Sequence, residues 1–432
     1  MDFENEFSIS GDEMFQLIAE LYPICRSITG DGVRKSLEII KDYIPLTIYQ
    51  EATGTVVFDW VIPKEWNIRD AYIKNSKEQK VVDFKKSNLH VINYSVPIHA
   101  EMSLNELKKH LFTLPDFPEW IPYLTSYYNE NWGFCISQQE FERLKDDTYE
   151  VVIDSELIDG FLVYGELLIK GRTDEEVLFS TYICHPSLCN DNLSGVVLLT
   201  YLAMNLLNKD LKYSYRFLFI PETIGSITWL SKHEDTVKNI KYGLVATCVG
   251  DSGPSTYKKS REGNLQIDRI VEKVLNDFDE PFNIVDFFPT GSDERQFCSP
   301  GFNLPIGSLM RTPYALFPEY HTSADNLDFI QPQFLENSIK KYIQVVFIIE
   351  NNATFLNKNP KCEPQLGKRG LYRKIGSQKT NILNENAILW VLNLSDGKNS
   401  LLDIAIRSKL KFLEIWNAAI ELYKVGLLEK VN

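Results

Sequence analysis

The sequence has no apolar run of membrane-spanning length, and residues 1–20 lack the basic start and continuous apolar core of a signal peptide. Both absences predict a cytoplasmic protein with no membrane partner. The seven cysteines are odd in number and scattered, with no close pair at zinc-finger spacing. That excludes a disulfide framework and predicts reduced thiols. Internal repeats and low-complexity stretches are also missing, which excludes solenoid and array architectures. Positive charge is in short supply: 45 Lys+Arg face 59 Asp+Glu, a net −14 that argues against a general nucleic-acid or membrane-surface binder. The shortage is uneven. Residues 361–432 hold 12 basic against 7 acidic side chains, a local +5 that leaves −19 on the remainder.

At 432 residues the chain exceeds one compact core, so two or three domains are expected. Helical spacing over Asp12–Tyr22 and Gly32–Tyr43 is followed from about Ile48 by short β-rich pieces broken by turn residues. Glu150–Leu157 and Gly165–Lys170 read as a strand pair. A βαβ rhythm then runs from Val177 to a long helix near 331–350. Such alternation predicts an α/β fold, a mostly parallel mixed sheet sandwiched by helices. Beyond the linker at 357–360, helices at 384–393, 400–405 and 411–425 with a final strand at 426–431 form a winged-helix pattern. The predicted division is 1–47 with 126–357 for the main domain, 48–125 for an inserted β-rich domain, and 361–432 for the winged helix.

Chemistry gathers where strands end. Cys184-His185-Pro186-Ser187-Leu188-Cys189-Asn190-Asp191-Asn192-Leu193-Ser194-Gly195 lies between an apolar strand and an apolar helix. His185 and Asp191 therefore sit at the carboxyl edge of the sheet, where α/β proteins bind ligands. Imidazole and carboxylate together suit a cation such as zinc. The next strand ends at Glu222 and the one after at Asp251. His321 lies in a loop before the long helix. Each acid alone could cap a helix; four junctions offering ligands to one rim point to a metal site.

These residues, with Gly225-Ser226, Gly291-Ser292-Asp293 and His321-Thr322-Ser323-Ala324-Asp325-Asn326-Leu327-Asp328, resemble the zinc-dependent aminopeptidase (M28-like) superfamily. Cys25-Arg26-Ser27-Ile28-Thr29-Gly30, Phe58-Asp59-Trp60 and Tyr164-Gly165-Glu166 bring the chain closer to a bacterial subfamily. Those are aminopeptidase-like proteins whose genes often lie among polysaccharide-biosynthesis genes. The resemblance implies a zinc-exopeptidase-like fold and hydrolysis of a small peptide or amide. His185, Asp191 and His321 would hold one zinc firmly, a second zinc staying open, and Glu222 would be the general base. It also shows departures: Thr223 stands where the second adjacent acid is usual, and Ser187 where an aspartate orients the first histidine. At the third strand end, Cys248 and Asp251 compete, with Asp251 favoured as a metal-site acid. Asp293 and Glu294 are expected to line the pocket, and Arg311 and Tyr314 to hold an anionic part of the substrate.

Two other classes of function stay open on the sequence. One is a regulatory DNA-binding protein that uses the old enzyme domain as a ligand sensor. The other is an inactive scaffold in a polysaccharide pathway. A winged helix can read DNA, and it can equally mediate protein contacts or dimerisation, so nucleic acid and a second copy of the chain are both candidate partners.

Overall fold

Glu176–Tyr182, seven consecutive buried residues, is a central strand of an eight-stranded sheet. A strand this apolar needs cover on both faces, the environment of parallel strands in α/β proteins. It pairs in parallel with Ser214–Ile220 on one side and Ile240–Ala246 on the other, and the latter pairs in parallel with Ile306–Met310. Thr47–Ala52 and Phe161–Ile169 add antiparallel strands at one edge. At the other edge Ser255–Lys258 runs antiparallel to Ile306–Met310 and parallel to Phe282–Val285. The sheet is mixed and mostly parallel, as the alternation predicted.

The computed structural model describes residues 10–371 and 385–431. Two compact units emerge, 1–268 with 282–340 and 269–281 with 341–432. In the first, helices Gly11–Leu21 and Asp31–Lys41 form where the periodicity placed them, the former capped by the Ser10 hydroxyl accepting from the Glu13 N–H at 3.2 Å. The helix Ser194–Leu206 is buried along nearly its whole length. Its first turn presses on the sheet: a Cβ at Gly195 would collide with the Ala246 carbonyl oxygen. That close approach holds the preceding loop, with Asp191, over the strand ends.

One expected pairing is corrected. Thr148–Ile158 does not pair with Phe161–Ile169. It lies between Glu65–Lys74 and Ile98–Ser103 in a four-stranded antiparallel sheet completed by Lys80–Asp83. Burial alternates along Thr148–Ile158 but is nearly continuous along Phe161–Ile169. The first suits a sheet with one covered face, the second the sandwiched main sheet. Ala71, Ile73, Phe134, Tyr149, Val151 and Ile153 fill the core of this smaller sheet.

The second unit contains helices Glu385–Leu394, Leu401–Ser408 and Phe412–Lys424 with a three-stranded sheet of Asp396–Ser400, Thr354–Asn357 and Leu428–Lys430. Residues 372–384 and 432 of the predicted winged-helix segment, including the expected helix start at 384, lie outside the described residues. Among the described residues no helix is long and apolar enough to cross a membrane.

Candidate metal centre

Strand ends and one distant loop build the site. His185 follows Glu176–Tyr182, Asp191 lies in the irregular turn Cys189–Leu193, Glu222 follows Ser214–Ile220, and His321 precedes the helix Pro332–Asn351. One ligand atom each from His185, Asp191 and His321 falls within 4.8 Å of the others. His321 Nε2 is 3.0 Å and His185 Nε2 4.0 Å from Asp191 Oδ2. Glu222 Oε2 stands 3.9 Å from His185 Nε2.

Asp191 Oδ2 and His321 Nε2 are buried and face each other at 3.0 Å without hydrogen-bond alignment, and neither has another hydrogen-bond partner among the described residues. Leaving such groups unsatisfied costs about 1–3 kcal/mol each. A cation between them would remove that cost. Two imidazoles and a carboxylate are a donor set suited to zinc, so the residues present fit the metal that the sequence implies.

Surrounding groups fix this geometry. The other Asp191 oxygen accepts from the Tyr182 hydroxyl, which lies 2.7 Å from Thr247 Oγ1. The Asp325 carboxylate accepts from the backbone N–H groups of Asn190 at 2.6 Å and Asp191 at 2.9 Å. Buried Arg26 donates from Nε to the His185 carbonyl at 2.9 Å and from Nη1 to the Leu21 carbonyl at 2.6 Å. Tyr320 stacks on the His321 ring at 3.9 Å between centroids. Tyr123 meets His185 and His321 edge-on at 5.3 and 5.0 Å.

Burial dominates the electrostatics. It lowers the His185 pKa to about 4, against the pull of Asp191, so the imidazole is neutral and able to ligate at neutral pH. Burial works to raise Asp191, yet the two histidines and Tyr182 hold it below the ordinary aspartate value. Glu222 is raised well above the ordinary glutamate value, first by burial and then by the charges of Asp293 and Asp191. Burial also lifts Asp293 to about 6 and Asp325 to about 8, each opposed by its hydrogen bonds.

The other predicted residues divide. Asp251 does not join the converging ligand atoms. Its carboxylate accepts from Asn190 Nδ2 at 3.0 Å, the Gly253 N–H at 2.7 Å and the Thr312 hydroxyl at 2.5 Å. Cys248 is the strand-end residue on the site side, packed with Met310, Phe317 and the rings of Tyr314 and Tyr320. Asp293 accepts from the Thr223 N–H at 2.8 Å and the Ser226 hydroxyl at 2.7 Å. Glu294 is buried on Lys258 at 2.7 Å. Arg311 is turned to Asn337, 2.9 Å away, and lies over the Phe334 ring. Tyr314 does line a cavity of about 450 Å³ beside the site, with Tyr182, Glu222, Phe288, Leu316 and Tyr320. Neither replacement residue offers a ligand: Ser187 donates to the Tyr22 carbonyl at 2.7 Å, and the Thr223 hydroxyl accepts from Arg295 at 2.7 Å.

Tyr123, Tyr182, Tyr320, Asp325 and Lys258 were not among the residues the sequence marked out for a role. Asp325 and Tyr320 flank His321 closely enough to have been weighed. Tyr123 gave no signal, because it reaches the site only through the pairing of Ile121–Tyr123 with His321–Ser323.

The family described as a domain of unknown function (DUF4910) matches residues 15–352. The chain belongs to the DUF4910 family. A winged helix-turn-helix family matches residues 353–430. This DUF4910 chain is 60% identical over 424 residues, 98% of each sequence, to a Clostridium acetobutylicum protein named for polysaccharide biosynthesis and an aminopeptidase-like domain. It is also similar to a candidate peptidase from Clostridium acetobutylicum solved by crystallography, at 59% identity, TM-score 0.93, and coverage of 98% of this chain and 96% of that one. A zinc aminopeptidase from Bacillus subtilis shares the fold at 11% identity and TM-score 0.57, covering 79% of this chain and 96% of that one. The DUF4910 part thus has an aminopeptidase-like fold.

Proposed function

We propose that the protein is a zinc-dependent amide hydrolase of aminopeptidase type, holding one ion on His185, Asp191 and His321 with Glu222 as general base. The observation that carries this reading is the convergence of His185, Asp191 and His321 ligand atoms within 4.8 Å beside the Glu222 carboxylate, with Asp191 Oδ2 and His321 Nε2 buried and making no aligned hydrogen bond among the described residues. When bound, zinc supplies Lewis acidity and lowers the pKa of water toward neutrality. Glu222 takes up a proton from the attacking water and returns it to the leaving amine. Its raised pKa suits that role, since a carboxylate lifted from its usual range is a stronger base. Tyr182 keeps Asp191 oriented, and Arg26 keeps the His185 backbone in place.

The cavity beside Glu222 is walled by Phe288, Pro313, Ala315 and Leu316 as well as tyrosines. It suits an uncharged, apolar group next to the scissile amide. The name of the Clostridium acetobutylicum relative makes an amide carried on a sugar the other substrate class worth testing. A cytoplasmic setting agrees with the cysteines, which are all unpaired.

Metal analysis of purified protein, together with turnover of aminoacyl and amino-sugar amides, tests the reading. About one zinc per chain is expected, lost in His185→Ala and His321→Ala, with Glu222→Gln keeping the zinc and losing about 100-fold or more in kcat. Zinc that is absent, or indifferent to both histidines, would sink the proposal.

A further inference from the structure

A lysine with no part in the chemistry above lies behind the cavity. Lys258 ends the strand Ser255–Lys258 and is 0% exposed. A buried ammonium is tolerated only when paired and hydrogen-bonded, so its partners show what it holds. It donates to Glu294 Oε1 and the Thr290 carbonyl, each at 2.7 Å, and to the Tyr314 hydroxyl at 3.1 Å. It also sits 3.7 Å from the centroid of the Phe288 ring, a cation–π contact. Phe288 and Thr290 supply one stretch of the cavity wall and Tyr314 another, and the Tyr314 hydroxyl also donates to the Thr290 carbonyl at 3.4 Å. One fixed charge therefore fastens both walls. Between them Gly291 has φ +121°, and a Cβ there would run into the Tyr314 hydroxyl. The walls close behind the cavity only because that position is glycine.

We propose that Lys258 is the positioning residue that sets the width of the substrate cleft, and through it the size of side chain accepted beside the scissile amide. The proposal rests on the hydrolase reading for its substrate, but not for its geometry. None of these contacts goes to His185, Asp191 or His321. Loss of Lys258 should therefore loosen the walls and leave the metal ligands in place.

The test compares wild type with Lys258→Met combined with Glu294→Gln, which avoids stranding a buried carboxylate, and with Gly291→Ala. Amide hydrogen exchange is measured on the zinc-loaded, full-length protein, alongside kcat and KM for glycyl, leucyl and phenylalanyl amides. Faster exchange is expected in 287–294 and 313–317 and unchanged protection in 185–191. KM for the two bulky amides should rise about tenfold, more than any fall in kcat, while the glycyl amide is affected least. Unchanged exchange in both walls, or an equal loss on all three amides, overturns the proposal. If the wild type cleaves no amide, the hydrolase reading fails and the exchange result alone decides the role of Lys258.

Discussion

Asp325 touches none of the three candidate ligand atoms, yet the loop that carries Asp191 hangs on it. Its carboxylate gathers two backbone N–H groups of that loop, and its own carbonyl accepts the Cys189 N–H at 3.0 Å. Burial raises its pKa to about 8, so the folded protein retains a proton that the unfolded chain releases above about pH 4. More protons on the folded state mean that stability falls as pH rises through that window. Below pH 6.5 the lowered pKa of His185 acts in the opposite sense. Between pH 6.5 and 8 that opposition is gone. Metal-free wild type should lose stability across this interval, and Asp325→Asn should flatten the slope while keeping a side-chain acceptor for the loop. Urea unfolding at pH 6.5, 7.2 and 8 checks it; equal slopes for both proteins would contradict the role given to burial here. At this scale the sequence showed the candidate ligands because His185 and Asp191 lie between a strand and a helix and His321 lies in the loop before a long helix. It hid Tyr123, whose position depends on a segment about two hundred residues away. It also hid Lys258, which reads as an ordinary polar strand end.

Elements were legible in proportion to the continuity of their burial. Glu176–Tyr182 and Ser214–Ile220 are buried throughout and showed as plain apolar runs. Ser255–Lys258 is also buried throughout, but Ser, Thr and Lys make up most of it, so its apolar signal vanishes. In the second unit, the helix Phe412–Lys424 corresponds to the element that such modules place in the DNA major groove, where its N-terminal residues read bases. Here that end is occupied. The Phe412 N–H donates to Asp277 at 2.9 Å, Lys411 pairs with Asp279 at 2.8 Å, and Arg269 with Asp403 at 2.6 Å. Phe412 and Trp416 pack edge-on against Phe347. Two acids beside the helix start would also repel phosphate. The full-length protein is therefore expected to show no salt-sensitive binding to duplex DNA in fluorescence anisotropy at about 50 mM salt. Submicromolar affinity falling steeply with added salt would restore the regulatory alternative.

At the scale of the molecule, the three candidate ligands run from His185 to His321 in sequence but belong to one unit, 1–268 with 282–340. An ion that binds only the folded arrangement stabilises whatever must be folded to present it, by about 2.7 kcal/mol at a free concentration of 100 Kd. That stabilisation should appear where the ligands and their supports are: the strand ends after Tyr182 and Ile220, the turn Cys189–Leu193, and the loop from Tyr320 to Asp325. It should not reach residues 353–430, which hold none of the three ligands. Hydrogen exchange on zinc-loaded and chelator-treated protein separates the outcomes. Slower exchange on loading is expected in the first unit, largest around 182–193 and 320–325, with the peptides of 385–430 unchanged. Equal slowing in both units would mean that zinc acts through something other than this cluster. The acidic −19 falls on the part of the sequence that contains the candidate metal ligands, and the +5 on the segment that contains the winged helix. Negative potential around the first unit favours a dication's approach, so zinc uptake by the chelator-treated protein should also slow as salt is raised.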